Sequence, residues 1–247
     1  MSTENKFPTE VVDLPSKGLL YPEDSPLRSG TIEMKYMTAK EEDILTNQNY
    51  IEKGVVIDKL LQSLIVNKDI NYNELLIGDK NALLVAARIL GYGADYEFSY
   101  LGEKVKIDLS TIENKPFDEK LVKEGKNEFK YTLPTTKNEI TFKLLNHGDE
   151  KKVEQEVKGL KKINKDASPE LSTRLKHLIT SVDGNGDSVH IRKFVDNQFL
   201  ARDSRAFRKY LAKIQPDIDL KYYPEDGPEE GVDIPLGVTF LWPDFNV

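Results

Sequence analysis

Three histidines, an acidic glycine-rich loop and a few adjacent carboxylates are the groups in this chain that could do chemistry. His147, His177 and His190 lie 30 and 13 residues apart, so none forms an HExxH or HxxH pair that would put two ligands on one helix face. His147 is expected in a turn, His177 on a helix over 171–182, and His190 in a short loop beyond it, each as a surface or partly buried side chain. Asp183-Gly184-Asn185-Gly186-Asp187-Ser188 sets oxygen ligands at positions 1, 3 and 5 of a calcium loop. Ser188 stands where that loop needs glycine, and Phe194 where it needs a bidentate glutamate, so a glycine-rich turn is the expectation. Gly91-Tyr92-Gly93 closes a helix instead of opening one after a strand, which excludes a dinucleotide loop, and neither a P-loop nor a nucleophile elbow occurs. Glu41-Glu42-Asp43 and Glu229-Glu230 read as solvated charge. With no cysteine, disulfides, thiolate metal sites and thiol nucleophiles drop out together. No catalytic residue, metal, cofactor or small-molecule substrate is assigned, and the chain is expected not to be an enzyme.

Positioning elements follow from the hydrophobic pattern. Pro8, Pro15, Pro22 and Pro26 break any helix in the first 30 residues, which read as an extended arm. Thr31 to Met37 alternates at period two, as a strand does, and Thr38-Ala39-Lys40-Glu41 caps a following helix. A second helix is expected over about 55–66, with Leu60, Leu61, Leu64 and Ile65 on one face. A third starts at Asp79 as N-cap and ends at Gly91 and Gly93. Residues 95–100 and 104–109 then form a hairpin turning near Gly102.

The second half repeats this order. Leu133-Pro134 echoes Leu14-Pro15, Ile140 to Leu145 matches Ile32 to Met37 at an offset of 108, and Asp203 to Tyr222 matches Asp79 to Phe98 at an offset of 124. The expected fold is α+β, a tandem duplication of a strand, helices and β-hairpin unit. Residues 1–30 form the arm, 31–118 the first repeat, and 119–247 the second, ending in a strand in which Val238, Phe240 and Trp242 alternate. Phe240 and Trp242 either close the second repeat's core or anchor a partner.

The 247 residues are 38% hydrophobic and 31% charged, with a mean hydropathy of −0.51. No run reaches the roughly 20 apolar residues of a membrane span, and no apolar stretch follows the first lysine as in a secretory signal. No membrane insertion is expected. The net charge of −7 opposes condensation on nucleic acid. That charge is uneven. Residues 201–213 carry net +4, through Arg202, Arg205, Arg208, Lys209 and Lys213 against Asp203, while residues 217–247 carry net −7. The simplest expectation is that helix and tail pair with one another.

The segments "LPSKGLLYP", "MTAKEED" followed by "LTN", "LLIGDKNALLVAARILGYG", "DSRAFRKYLAKIQPDIDL" and "IPLGVTFLWP", in that order, resemble the baseplate hub and hub-assembly family of T-even-type contractile-tailed bacteriophages. The resemblance covers nearly the whole chain. It implies a structural protein of the viral tail that helps form the baseplate central hub through protein–protein interaction with other hub proteins and the tape measure protein. The alternative is a transient assembly chaperone that leaves before the virion matures. Either role places the chain in the host cytoplasm during virion assembly, and a resident subunit also in the tail baseplate. Partner-binding candidates are Leu14, Pro15, Lys17, Leu20 and Tyr21 in the arm, Arg202, Arg205 and Arg208 on the basic helix, and Phe240 and Trp242 near the end. Relatives are expected to carry paired cysteines at the two hairpin turns. Here those turns read Tyr100-Leu101-Gly102-Glu103 and Pro224-Glu225-Asp226-Gly227, so no zinc-ribbon role survives in them.

Overall fold

The computed structural model describes residues 8–166, 168–225 and 227–242. The fold is α+β. Strand β1 (Thr9–Asp13) pairs antiparallel with β2 (Thr31–Lys35), and three helices follow: α1 (Ala39–Leu45), α2 (Gln48–Glu52) and α3 (Val56–Leu64). The longer α4 (Ile77–Tyr92) leads into the hairpin β3 (Asp95–Tyr100) and β4 (Glu103–Asp108). The second half builds a three-stranded antiparallel sheet from β5 (Phe129–Thr132), β6 (Glu139–Phe142) and β7 (Ile179–Val182). Around it lie α5 (His147–Ile163), α6 (Glu170–Leu178), α7 (Ser188–Asn197) and α8 (Ala201–Ile214). A short hairpin, β8 (Lys221–Tyr222) with β9 (Val232–Asp233), and the one-turn α9 (Val238–Leu241) complete the described chain.

The halves use matching local devices. Thr38 and Asn146 each open a helix with a capping box, completed by Glu41 and Asp149 three residues on. Those carboxylates also take an ion pair from the preceding strand end, Lys35 to Glu41 at 2.7 Å and Lys143 to Asp149 at 2.6 Å. Met34 bridges Ile65 as Phe142 bridges Ile179. Asp79 and Asp203, buried at the third position of α4 and α8, each accept backbone N–H groups from the turn after the first strand, at Ser16 and at Thr135 and Thr136. The terminal hairpins differ. Phe98 pairs with Val105 across a two-residue turn, whereas Tyr222 pairs with Val232 across a long loop.

Several elements depart from the sequence expectation. Residues 8–30 are no extended arm, because β1 pairs with β2 and Leu14, Leu20, Tyr21 and Leu27 sit in the core. Asp79 does not cap α4. Leu76 occupies that position, and the Asp79 carboxylate is turned inward instead. The helix expected over 171–182 stops at Leu178, where Ile179–Val182 peels off to pair with β6. His190 lies on α7, whose N-cap is Asp187 of the would-be calcium loop. The terminal strand is the short helix α9. Its Phe240 and Leu241 are fully buried against α4 of the first half, not in the second half's sheet.

One hydrophobic core runs through both halves. Gly78 marks their closest approach, since a Cβ there would lie 2.0 Å from the Pro216 carbonyl oxygen. Backbone hydrogen bonds cross at Ile77 to Leu145, His147 to Leu75, Lys115 to Asp217 and Asp219 to Glu113. Phe98 and Tyr222, equivalent by sequence offset, meet edge to face at 5.8 Å.

Candidate partner-binding surface

The proline-containing loop is a plug, built around a buried carboxylate. Asp79 accepts hydrogen bonds from Ser16 N at 2.9 Å, Ser16 Oγ at 2.7 Å and the Tyr21 hydroxyl at 2.6 Å, and that hydroxyl accepts from Leu76 N at 2.9 Å. Burial pushes the Asp79 carboxyl above the ordinary carboxylate range despite those donors, and burial together with Asp79 drives the Tyr21 hydroxyl far up. Gly18 is required here because its φ is +74° and a Cβ would lie 2.4 Å from the Arg28 carbonyl oxygen. Leu14, Pro15, Leu20 and Tyr21 are therefore structural rather than exposed for a partner. Lys17 alone of these candidates faces solvent, where it pairs with Glu119 at 2.6 Å.

Phe240 is equally enclosed, its ring edge to face with Tyr96 at 4.9 Å, while the Tyr96 hydroxyl donates to Pro235 O at 2.9 Å. Trp242 is half-buried against the same core. Phe240 thus closes the first half.

The basic helix behaves otherwise. Asp203, Phe207, Leu211 and Ile214 turn to the core, and Arg202, Arg205, Arg208, Lys209 and Lys213 are exposed. Among the described residues none of these five makes a side-chain hydrogen bond or an ion pair. The expected pairing with the acidic tail does not form there. After Ile214 the chain turns into the first half, where Asp217 accepts from Asn81 Nδ2 at 3.0 Å and lies 3.8 Å from Lys115, and Asp219 accepts from Tyr223 at 2.7 Å. Glu225, Glu229 and Glu230 stay exposed on the loop between β8 and β9.

Several titratable groups elsewhere are consumed internally. His147, expected in a turn, is the buried first residue of α5 and joins a cluster with no spacing signal in the sequence. Its Nε2 lies 3.0 Å from Asp58 Oδ2 without hydrogen-bond alignment, and its Nδ1 lies 3.2 Å from Lys80 Nζ. Asp58 also receives Lys80 at 3.1 Å, Lys151 at 3.3 Å and the Tyr72 hydroxyl at 3.1 Å. Burial would raise the Asp58 carboxyl, but His147 and Lys80 outweigh it and hold it well below the usual range. His177 contacts Glu156 at 2.9 Å. Arg192 grips that carboxylate with both terminal nitrogens and, against a smaller opposing effect of burial, brings it down to about 2. Asp183 accepts from Asn138 Nδ2 and Glu139 N, which ties the glycine-rich turn to the sheet.

Two clefts remain. A 750 Å³ cleft lies between β3–β4 and the chain leading to α9. Its buried Arg88 donates to Gly93 O at 2.7 Å and Asp95 O at 2.8 Å, as a cap on the end of α4. A 120 Å³ cavity beside α8 is lined by Ile77, Leu145, Leu171, Leu175 and Leu211, with Arg174 and Arg208 at its polar side. Asp58 and His147 line neither. Among the described residues no group of three or more histidine and carboxylate side chains could hold a metal ion, and no helix is long and apolar enough to cross a membrane.

No family model, no curated protein and no solved structure matches this chain.

Proposed function

We propose that this protein is a non-enzymatic structural subunit of a contractile phage tail that works by binding, taking part in formation of the baseplate central hub with neighbouring hub and tape-measure proteins. The observation that carries the binding role is the solvent-facing row of unpaired cations on α8, set against internal use of Asp58, Asp79, His147 and Glu156. The hub assignment rests on the ordered sequence motifs. In this reading "LPSKGLLYP" and "LLIGDKNALLVAARILGYG" belong together because the Asp79 carboxylate joins them. We further propose that the chain arose by tandem duplication, supported by the paired capping boxes, ion pairs and buried aspartates.

Mass spectrometry of purified virions, run beside a pull-down from infected cells, tests the assignment. A resident subunit appears in both with hub proteins. Capture with hub proteins but absence from virions replaces the subunit by the assembly chaperone, and capture with neither hub nor tape-measure protein refutes both.

A further inference from the structure

The cations of α8 violate the local electrostatics of a helix. Arg205, Lys209 and Lys213 repeat at four-residue spacing, where like charges repel, and Arg202 sits in the first turn, where the helix dipole disfavours a cation; only Lys213, in the last turn, is favoured by that dipole. No carboxylate of the described residues lies within ion-pair distance of them. Positions where local rules fail without internal compensation are expected where a surface serves something outside the fold. Arg202 to Lys213 spans about 16 Å along the axis, close to the length of three helical turns.

The flank of the same helix supplies a second feature. Arg208 stands between the charged row and the 120 Å³ cavity, whose wall includes Leu171, 46% exposed despite its apolar side chain. That volume equals about four waters, enough for one aliphatic side chain. Leu200, also 46% exposed, lies at the start of α8.

We infer that this face of α8 and the adjoining cavity dock an acidic amphipathic segment of a partner protein, its carboxylates along Arg202, Arg205, Lys209 and Lys213 and one aliphatic side chain beside Leu171. The inference deepens the binding role proposed above and rests on it. A polynucleotide fits less well, because the nearby rings on which its bases would stack are occupied: Tyr210 stacks on Tyr131 at 4.7 Å and Phe199 on Phe194 at 5.6 Å. Complementary charge would steer the partner, and the aliphatic contact would fix its register.

The test uses the full chain and a labelled synthetic helical peptide of about 16 residues, with glutamates at three- and four-residue spacing and a leucine row on the adjoining face. Anisotropy should report binding at low salt that weakens about tenfold or more when salt rises several-fold. The triple variant Arg202→Glu, Arg205→Glu, Lys209→Glu should lose about tenfold or more in affinity with a melting temperature that does not fall, and Leu171→Asp should weaken binding on its own. Binding indifferent to the triple reversal overturns the inference, as does failure of the peptide to bind. Tighter binding of single-stranded DNA makes the surface a nucleic-acid site, and a dimer in sedimentation that the triple variant dissolves makes the occupant a second copy; either result also overturns it. None of these outcomes bears on hub membership, which virion mass spectrometry decides separately.

Discussion

Phe240→Ala tests how the C-terminal segment is used. The ring is fully buried in α9 and meets Tyr96 edge to face at 4.9 Å, so truncation removes a whole aromatic side chain from a site already closed by Leu241 and α4. Such truncations cost about 3 to 5 kcal/mol, and the ring pair contributes about 1 kcal/mol beyond its buried area, which favours the upper half of that range. At about 2 to 4 °C per kcal/mol for a chain of this size, a loss of about 4 kcal/mol lowers the melting temperature by roughly 8 to 16 °C. Calorimetry of the isolated protein measures this directly. A double-mutant cycle locates the effect. Phe240→Ala and Tyr96→Ala should couple by about 0.5 to 1.5 kcal/mol, while Phe240→Ala and Phe207→Ala, with Phe207 packed on Phe142 in the second half, should add within about 0.5 kcal/mol. Coupling to Phe207 and not to Tyr96 would return the segment to the second half's core. An unchanged melting temperature with lost partner binding would refute the packing argument and make the segment the docking element.

Asp203→Asn should cost about 1 to 3 kcal/mol by denaturant unfolding, because both carboxylate oxygens face N–H groups of Thr135 and Thr136 and an amide nitrogen would leave one of those contacts donor against donor. Asp79→Asn should cost clearly less, since an amide can donate to the Ser16 and Tyr21 hydroxyls; equal losses would show that the two sites are not chemically distinct. Glu41 gives an acid-side signature. Burial opposes its charge, but Lys35, Thr38 and Ser63 bring its pKa down to about 2, so its contribution, about 3 kcal/mol, is full above about pH 5.5 and is lost as pH falls from there through about 2. The stability difference between wild type and Glu41→Gln should shrink over that window in urea unfolding, and a pH-independent difference would contradict the assignment. Gly78→Ala should destabilise by about 1 to 3 kcal/mol or more, because the new methyl would meet the Pro216 carbonyl at 2.0 Å; a neutral outcome in thermal melting would mean that the halves do not meet there. Chelation of divalent metal should leave the melting temperature unchanged, and a fall of many degrees would reveal a structural ion.

Sequence alone determined those features in which a local pattern has one physical solution. Period-two alternation over Thr31 to Met37 and the Thr38 to Glu41 capping box fixed β2 and the start of α1, because side-chain direction and orphan helix amides are settled within a few residues. The hairpin at Gly102 was legible for the same reason, as was the α+β class. The basic character of α8 could also be read directly, but not what faces it. Tertiary structure decided whatever depended on a distant partner. Pro15 to Tyr21 reads as part of an extended arm, because its role as a plug exists only through Asp79 beneath it, and Asp79 reads as an N-cap until its carboxylate is seen to point inward. Val238 to Leu241 has strand-like alternation, but its segment lies against α4 instead of beside another strand, so its backbone closes a helical turn on itself. Asp58, Tyr72, Lys80, His147 and Lys151 come from separate stretches of the chain and share no spacing, so only the packing of the two halves could bring their charges together.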